Sequence, residues 1–219
     1  MRKNNKNLEI MTMIFCIVLV IANVVTGKVI DTGLTLNGEK ITIAGAIVCY
    51  PITYLITDIV GEMWGKKEAS NLVKIGFISQ IIATLIIFIT AYTPSIDSSM
   101  QAAYIKLLGQ NWIFVLGSLL AYWISQNIDV FIFHTLRNKY VLKHGSNKHR
   151  WIWNNVSTIS SQLVDTIIFI IIAFGIGFGW LFSNPLALIN MIIGQYLVKF
   201  IISLLDTPIF YLFTNRRGK

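Results

Sequence analysis

Six apolar stretches, each near the length of a membrane-crossing helix, fill most of this 219-residue chain, and a few polar and charged residues sit inside them at helical spacing. About 20 apolar residues in a helix cross the roughly 30 Å hydrocarbon core of a bilayer. The pattern therefore predicts spans at residues 8–26, 41–60, 72–92, 112–133, 151–174 and 186–213. A carboxylate near the bilayer centre costs roughly 2.5–3.5 kcal/mol, so a helix carries one only where a partner, a water-filled cavity or a ligand compensates. The expected fold is an all-α polytopic membrane protein built as one integral membrane domain, 1–219, with a polar interior.

Composition agrees. The chain is 55% hydrophobic and 13% charged, against about 25% charged for an ordinary soluble domain. Its net charge of +8 does not point to nucleic acid, because the basic residues fall in short runs between apolar spans, as in cytoplasmic loops. Fourteen of them (Arg2, Lys3, Lys6; Lys66, Lys67, Lys74; Arg137, Lys139, Lys143, Lys148, Arg150; Arg216, Arg217, Lys219) alternate with three on the other side, Lys28, Lys40 and Lys106. That bias predicts six helices with both termini in the cytoplasm. The first apolar run is long and lacks a small-residue cleavage site, so it reads as a retained helix rather than a signal peptide. Cys16 and Cys49 have no metal-ligand spacing, and no loop holds a Walker-type or dinucleotide-binding glycine pattern. A nucleotide-driven engine would have to be another chain.

Three spans carry polar stripes. Tyr122, Gln126, Asp129 and Phe133 share one face of the fourth, Asn155, Thr158, Gln162 and Asp165 one face of the fifth, and Gln195, Lys199 and Asp206 one face of the sixth. Lipid cannot solvate such stripes, so they are expected to converge. The alternative is that they only hold helices together, with Lys199 neutralising Asp165 or Asp129. Asp58 and Glu62 lie four residues apart near one end of the second span, where headgroups and Lys66 could satisfy them. Asn23, late in the first span, is either a site ligand or a local helix-terminating group. Trp123, Trp151 and Trp153 fall on or near the polar helices, Trp112 and Trp180 at expected interface positions. The segments Ser125-Gln126-Asn127-Ile128-Asp129 and Ser161-Gln162-Leu163-Val164-Asp165 repeat one motif, with a weaker echo at Ser79-Gln80, and suggest internal duplication.

Catalysis is disfavoured. The glycine-serine pattern of rhomboid-type proteases, the zinc His-Glu-x-x-His pattern and the Gly-x-Gly-Asp pattern of aspartyl intramembrane proteases are absent, and His134, His144 and His149 lack metal-site spacing. A non-transporting scaffold is the remaining rival.

Tyr50-Pro51-Ile52-Thr53-Tyr54-Leu55-Ile56-Thr57-Asp58-Ile59-Val60-Gly61-Glu62-Met63-Trp64-Gly65, followed by Ala69, resembles the signature segment of the queuosine precursor transporter family, also called the vitamin uptake transporter family. Asn23 near Lys28, the two Ser-Gln-x-x-Asp segments, Trp153-Asn154-Asn155, and Lys199 with Asp206-Thr207-Pro208 continue the resemblance in order; Tyr50 and Trp64 stand where Phe and Tyr are expected. The resemblance implies a six-helix inner-membrane importer of the 7-deazaguanine precursors of queuosine, similar in architecture to the substrate-binding subunits of energy-coupling-factor transporters. It implies no cofactor. Its partners would be the small-molecule base and the lipid bilayer, with a homo-oligomer or a separate ATPase module left open. A guanine-like edge offers an N–H and an amino group to one carboxylate and a carbonyl to Asn, Gln or Lys donors. The candidate substrate-binding residues are Asn23, Asp58, Glu62, Trp123, Gln126, Asp129, Trp153, Asn155, Gln162, Asp165, Lys199 and Asp206.

Overall fold

The computed structural model describes residues 5–144 and 150–214. Helix α1 (Asn5–Val25) leads into a β-hairpin, β1 (Val29–Leu36) and β2 (Glu39–Ala44), then a single 3₁₀ turn, Gly45–Val48. Helices α2 (Tyr50–Trp64), α3 (Lys66–Tyr92), α4 (Ser98–Leu108) and α5 (Asn111–His144) follow. Helix α6 (Arg150–Ile170) widens into a π-helical segment, Ile171–Ile176, and the short α7 (Trp180–Ser183) precedes α8 (Pro185–Thr214).

Among the described residues, five segments, those containing α1, α3, α5, α6 and α8, are long and apolar enough to cross a membrane. The outer face of α3 shows why they need lipid: Ile78, Ile82, Leu85, Ile86 and Ile89 are all more than half exposed. In water a helix so apolar on its outer face would not stay monomeric.

The stretch expected as a continuous second span, 41–60, is built differently. Its first residues, Ile41–Ala44, form the end of β2, and the helix proper starts only at Tyr50, with Pro51 in the first turn, where its missing N–H and fixed φ are tolerated. At 15 residues, α2 is about 22 Å long at 1.5 Å per residue. The hairpin has a local cause. Asn37 and Gly38 adopt φ of 53° and 83°, the left-handed pair of a two-residue hairpin turn, between strands alternating Leu, Thr and Ile. Gly33 (φ 78°) occupies the register shift between Asp31 and Thr35, as a glycine bulge does.

Irregular backbone inside a membrane protein must be covered by protein, and it is here. Gly45, Ala46 and Ile47 are buried, and the Gly45 N–H donates to the Lys28 carbonyl at 2.8 Å. A Cβ at Gly45 would collide with the Val25 carbonyl, so the chain end of α1 and the 3₁₀ turn meet only because this residue is glycine. Strand β2 lies along α8, where Asn190 Nδ2 donates to the Leu36 (2.9 Å) and Glu39 (3.1 Å) carbonyls and Gln195 Oε1 accepts the Ala44 N–H at 3.0 Å. Gly194 makes that approach possible, since a Cβ there would meet Ile41 Cγ2 at 2.6 Å.

Helix α2 then runs back beside α1. Ala46, Cys49 and Tyr50 pack near Ala22 and Val25, while Val60 and Trp64 pack near Leu8, Met11 and Phe15. One residue, Gly65 at φ 97°, reverses the chain into α3, a conformation that disfavours any side chain. Residues 98–108, read from sequence only as part of a connection, form α4; Asp97 caps it, its Oδ1 accepting the N–H groups of Ser99 (2.8 Å) and Met100 (3.3 Å). The main core joins Phe114, Phe169, Ile170, Ala173, Phe174, Leu188 and Met191, from α5, α6 with its π segment, and α8, with Ala44 of the hairpin.

Candidate functional site

A cavity of about 190 Å³ opens between α1, α2, α3, α5, α6 and α8. One ordered water needs about 10–15 Å³ by the same measure, so the space suits a small organic molecule rather than a single solvent.

Among the described residues, two charged side chains line it, Asp165 of α6 and Lys199 of α8, and they are paired: Lys199 Nζ donates to Asp165 Oδ2 at 2.8 Å. Lys199 sits at the middle of α8, and Asp165 near the middle of α6 taken together with its π segment, so the pair lies deep in the bundle. The two partners are not equivalent. The Lys199 side chain is 2% exposed and the Asp165 side chain 28%, so the ammonium is sealed behind the carboxylate. The Tyr50 ring completes the seal, its centroid 4.8 Å from Nζ, where the π-face is attracted to a cation. With Oδ2 held by Lys199, the geometry leaves Oδ1 as the natural acceptor for a ligand N–H.

The walls are aromatic and hydroxylic. On α2, Tyr50, Thr53, Tyr54 and Thr57 fall at helical spacing and all line the cavity; Tyr50 and Tyr54 stack at 5.9 Å and 20°. Thr53 and Thr57 each donate to a backbone carbonyl of their own helix, Thr53 to Tyr50 at 2.9 Å and Thr57 to Tyr54 at 2.8 Å, which leaves their oxygens as acceptors. Phe77 of α3 and Tyr122 of α5 also line the cavity and meet edge to face at 4.9 Å and 79°. Phe169, one turn beyond Asp165, contacts Phe174 of the π segment at 6.5 Å, tying this wall to the core. Such a site can hold a flat, mostly apolar ligand by stacking and orient it with one carboxylate and a few hydroxyls.

The other candidate residues lie elsewhere. Asp129 is half-buried on α5, and its Oδ1 lies 3.2 Å from Ser161 Oγ of α6, so it bridges helices outside the cavity lining. Trp123 is 66% exposed, and Gln126, Asp58 and Glu62 are exposed too. Gln162 is half-buried, with its backbone carbonyl accepting from Thr166 Oγ1 at 2.8 Å. Asn23 is buried, donating to the Leu19 carbonyl of its own helix at 3.2 Å. The side chains of Trp153, Asn155 and Asp206 lie outside the described residues. Sequence reasoning passed over Tyr50, Thr53, Tyr54 and Thr57, although their i, i+3, i+4, i+7 spacing, a polar face in an apolar helix, was visible.

A family model described as "Putative vitamin uptake transporter" matches residues 44–213. The chain is 32% identical over 166 residues to the protein of Bacillus subtilis (strain 168) named "Probable queuosine precursor transporter", an alignment covering 75% of this chain and 68% of that one. No solved structure matches it.

Proposed function

The chain belongs to the vitamin uptake transporter family; it is a multi-pass membrane transporter, and we propose that its cargo is a 7-deazaguanine precursor of queuosine, bound as the base in the cavity between α2, α6 and α8. The observation that carries this reading is the joining of one ligand-facing carboxylate, Asp165, to aromatic walls in a space of small-molecule size. A guanine-type ring presents two N–H donors side by side on one edge and a carbonyl beside them, and its faces stack. Asp165 would accept the edge and Tyr54 or Phe77 would cover the ring. The name of the Bacillus subtilis relative supports the same cargo.

The topology we assign is six crossings with both termini in the cytoplasm of an inner membrane. The basic-residue alternation supports it, and residues 45–64 supply the sixth crossing by covering the depth of α1 from Ala22 to Leu8. A broken span of this kind, lining a mid-membrane site, is a recurrent transporter device. The test is uptake of labelled 7-cyano- and 7-aminomethyl-7-deazaguanine by cells lacking their own import route. Accumulation that depends on this chain supports the assignment, and none above the empty-vector level overturns it. Reporter fusions at Asn37, Ser95 and Ser183 should report outside and those at Lys67, Ser146 and Lys219 inside; two reversals would break the topology.

A further inference from the structure

We infer that the outer face of α5 is the seam of a parallel homodimer, along which two copies of this chain in one membrane pair through Leu116, Leu120, Trp123, Asn127, Val130 and His134 and exchange hydrogen bonds between their Asn127 amides. This surface depends on the chain's spanning a membrane and not on which cargo it carries.

These six side chains fall at alternating steps of four and three residues, one face of a helix, and all are exposed. Phe114, Ala121 and Ser125 of the same helix are buried in the bundle. Any lipid-facing helix shows an exposed stripe, and that of α3, through Ile78, Ile82, Leu85 and Ile89, is aliphatic, so acyl chains satisfy it. On α5 a side-chain amide stands in the middle of the stripe. Its depth follows from the neighbouring helix: Asp129 meets Ser161 and Phe114 meets Phe174, so α5 and α6 run antiparallel and Asn127 lies level with Leu163, about half a turn from Asp165. Lipid at that depth offers no hydrogen bond. Asn127 donates one N–H to the Trp123 carbonyl at 2.6 Å; its second N–H and its Oδ1 have no partner among the described residues, and hydrocarbon leaves both unsatisfied at a cost. A second copy satisfies them. Copies inserted in the same orientation are related by a two-fold axis along the membrane normal, so their α5 helices run parallel and each seam residue meets its own counterpart. An amide is donor and acceptor at once, so Asn127 complements itself, and one amide on such a seam fixes both register and a two-stranded state. Fixed charge does not oppose the pairing: between residues 111 and 136 it is carried by Asp129, which turns to Ser161. Ser118, Ala121 and Tyr122 line the cavity from other faces of α5, so each copy keeps its own site.

Oxidative cross-linking in native membranes, with resonance energy transfer between labelled copies of the full-length protein in liposomes, tests this. Leu120→Cys should give a disulfide-linked homodimer well above the background that Cys16 and Cys49 set in the wild type, and Ile82→Cys on the outer face of α3 should not. Asn127→Leu should weaken the dimer about tenfold, the effect of losing a reciprocal interhelical bond. Asn127→Gln, which keeps the amide, should retain most of the affinity. If Asn127→Leu does not insert, the cross-links at Leu120 and Ile82 decide. A monomer at every protein-to-lipid ratio, equal cross-linking at the two positions, a different protein captured at Leu120→Cys in place of a second copy, or a dimer indifferent to Asn127→Leu would each overturn the inference and leave the proposed cargo untouched.

Discussion

Asp129 and Asp165 sit in the same five-residue motif, Ser-Gln-x-x-Asp, on neighbouring helices, and the bundle gives them different surroundings. Asp165 meets a buried lysine and faces a cavity; Asp129 meets the serine that opens the other copy of the motif, Ser161, and lies outside the lining. Motif and period place a carboxylate on a helix face. What that face meets depends on the rotation of the helix against its neighbours, and a residue from a third helix, Lys199 of α8, makes the difference. Helix α8 repeats the lesson along its own length: Asn190 and Gln195 are taken up by the backbone of the hairpin, while Lys199, one turn beyond Gln195, reaches the cavity.

The contrast can be broken most directly by charge removal. Lys199→Met should lower uptake of the neutral base by at least about a hundredfold, because a stranded buried charge costs about 3–5 kcal/mol, measured as initial rate per inserted protein. The double variant Asp165→Asn with Lys199→Met should recover insertion and thermal stability without recovering transport. Recovery of transport would mean the pair only holds α6 to α8. Asp129→Asn, by the same assay, should cost less than about fivefold, since its hydroxyl bond is worth about 1 kcal/mol; an effect as large as that of Asp165→Asn would erase the distinction between the two motifs. Aromatic residues sharpen it further. Tyr54→Ala should raise KM by about 3- to 10-fold, from the 0.5–1.5 kcal/mol of a lost stacking contact, and Trp123→Ala should leave KM unchanged. The smallest effect belongs to the hairpin. Asp31 is held below the usual aspartate range by its bond to Lys40, then by the Gly33 N–H, so its contribution is present above the unfolded value near 4 and is lost only as pH falls through the lower folded one. Lys40→Ala should therefore leave the shape of the uptake profile between pH 5 and 8 unaltered, since Asp31 is ionised throughout that window.

How much of this could be read from sequence varies with the kind of force involved. The long helices were legible because bilayer thickness fixes their length, and the pairing of Lys199 with one of two aspartates was legible because an unpaired charge at that depth is expensive. The hairpin was not read, although Asn37-Gly38 between alternating Leu, Thr and Ile is a strong local signal. Ile41–Ala44 is apolar enough to be absorbed into a 20-residue window, and over so short a run hydropathy does not separate strand from helix. The threonines and tyrosines of α2 were overlooked for a related reason: they are cheap to bury, so an argument built on the cost of burial passes over them.

Two glycines bracket α2, Gly45 at the start of the 3₁₀ turn that leads into it, beneath the Val25 carbonyl, and Gly65 at φ 97° immediately after it. The 15 residues of α2 between them, about 22 Å of helix, pack along α1, α3 and α8. Tyr50, Thr53, Tyr54 and Thr57 share one helix and one wall of the cavity, so a shift of that helix is passed to all four. Substitutions along this face should be non-additive in double-mutant cycles, and a larger residue at either glycine should act on binding as though it had been placed in the cavity itself.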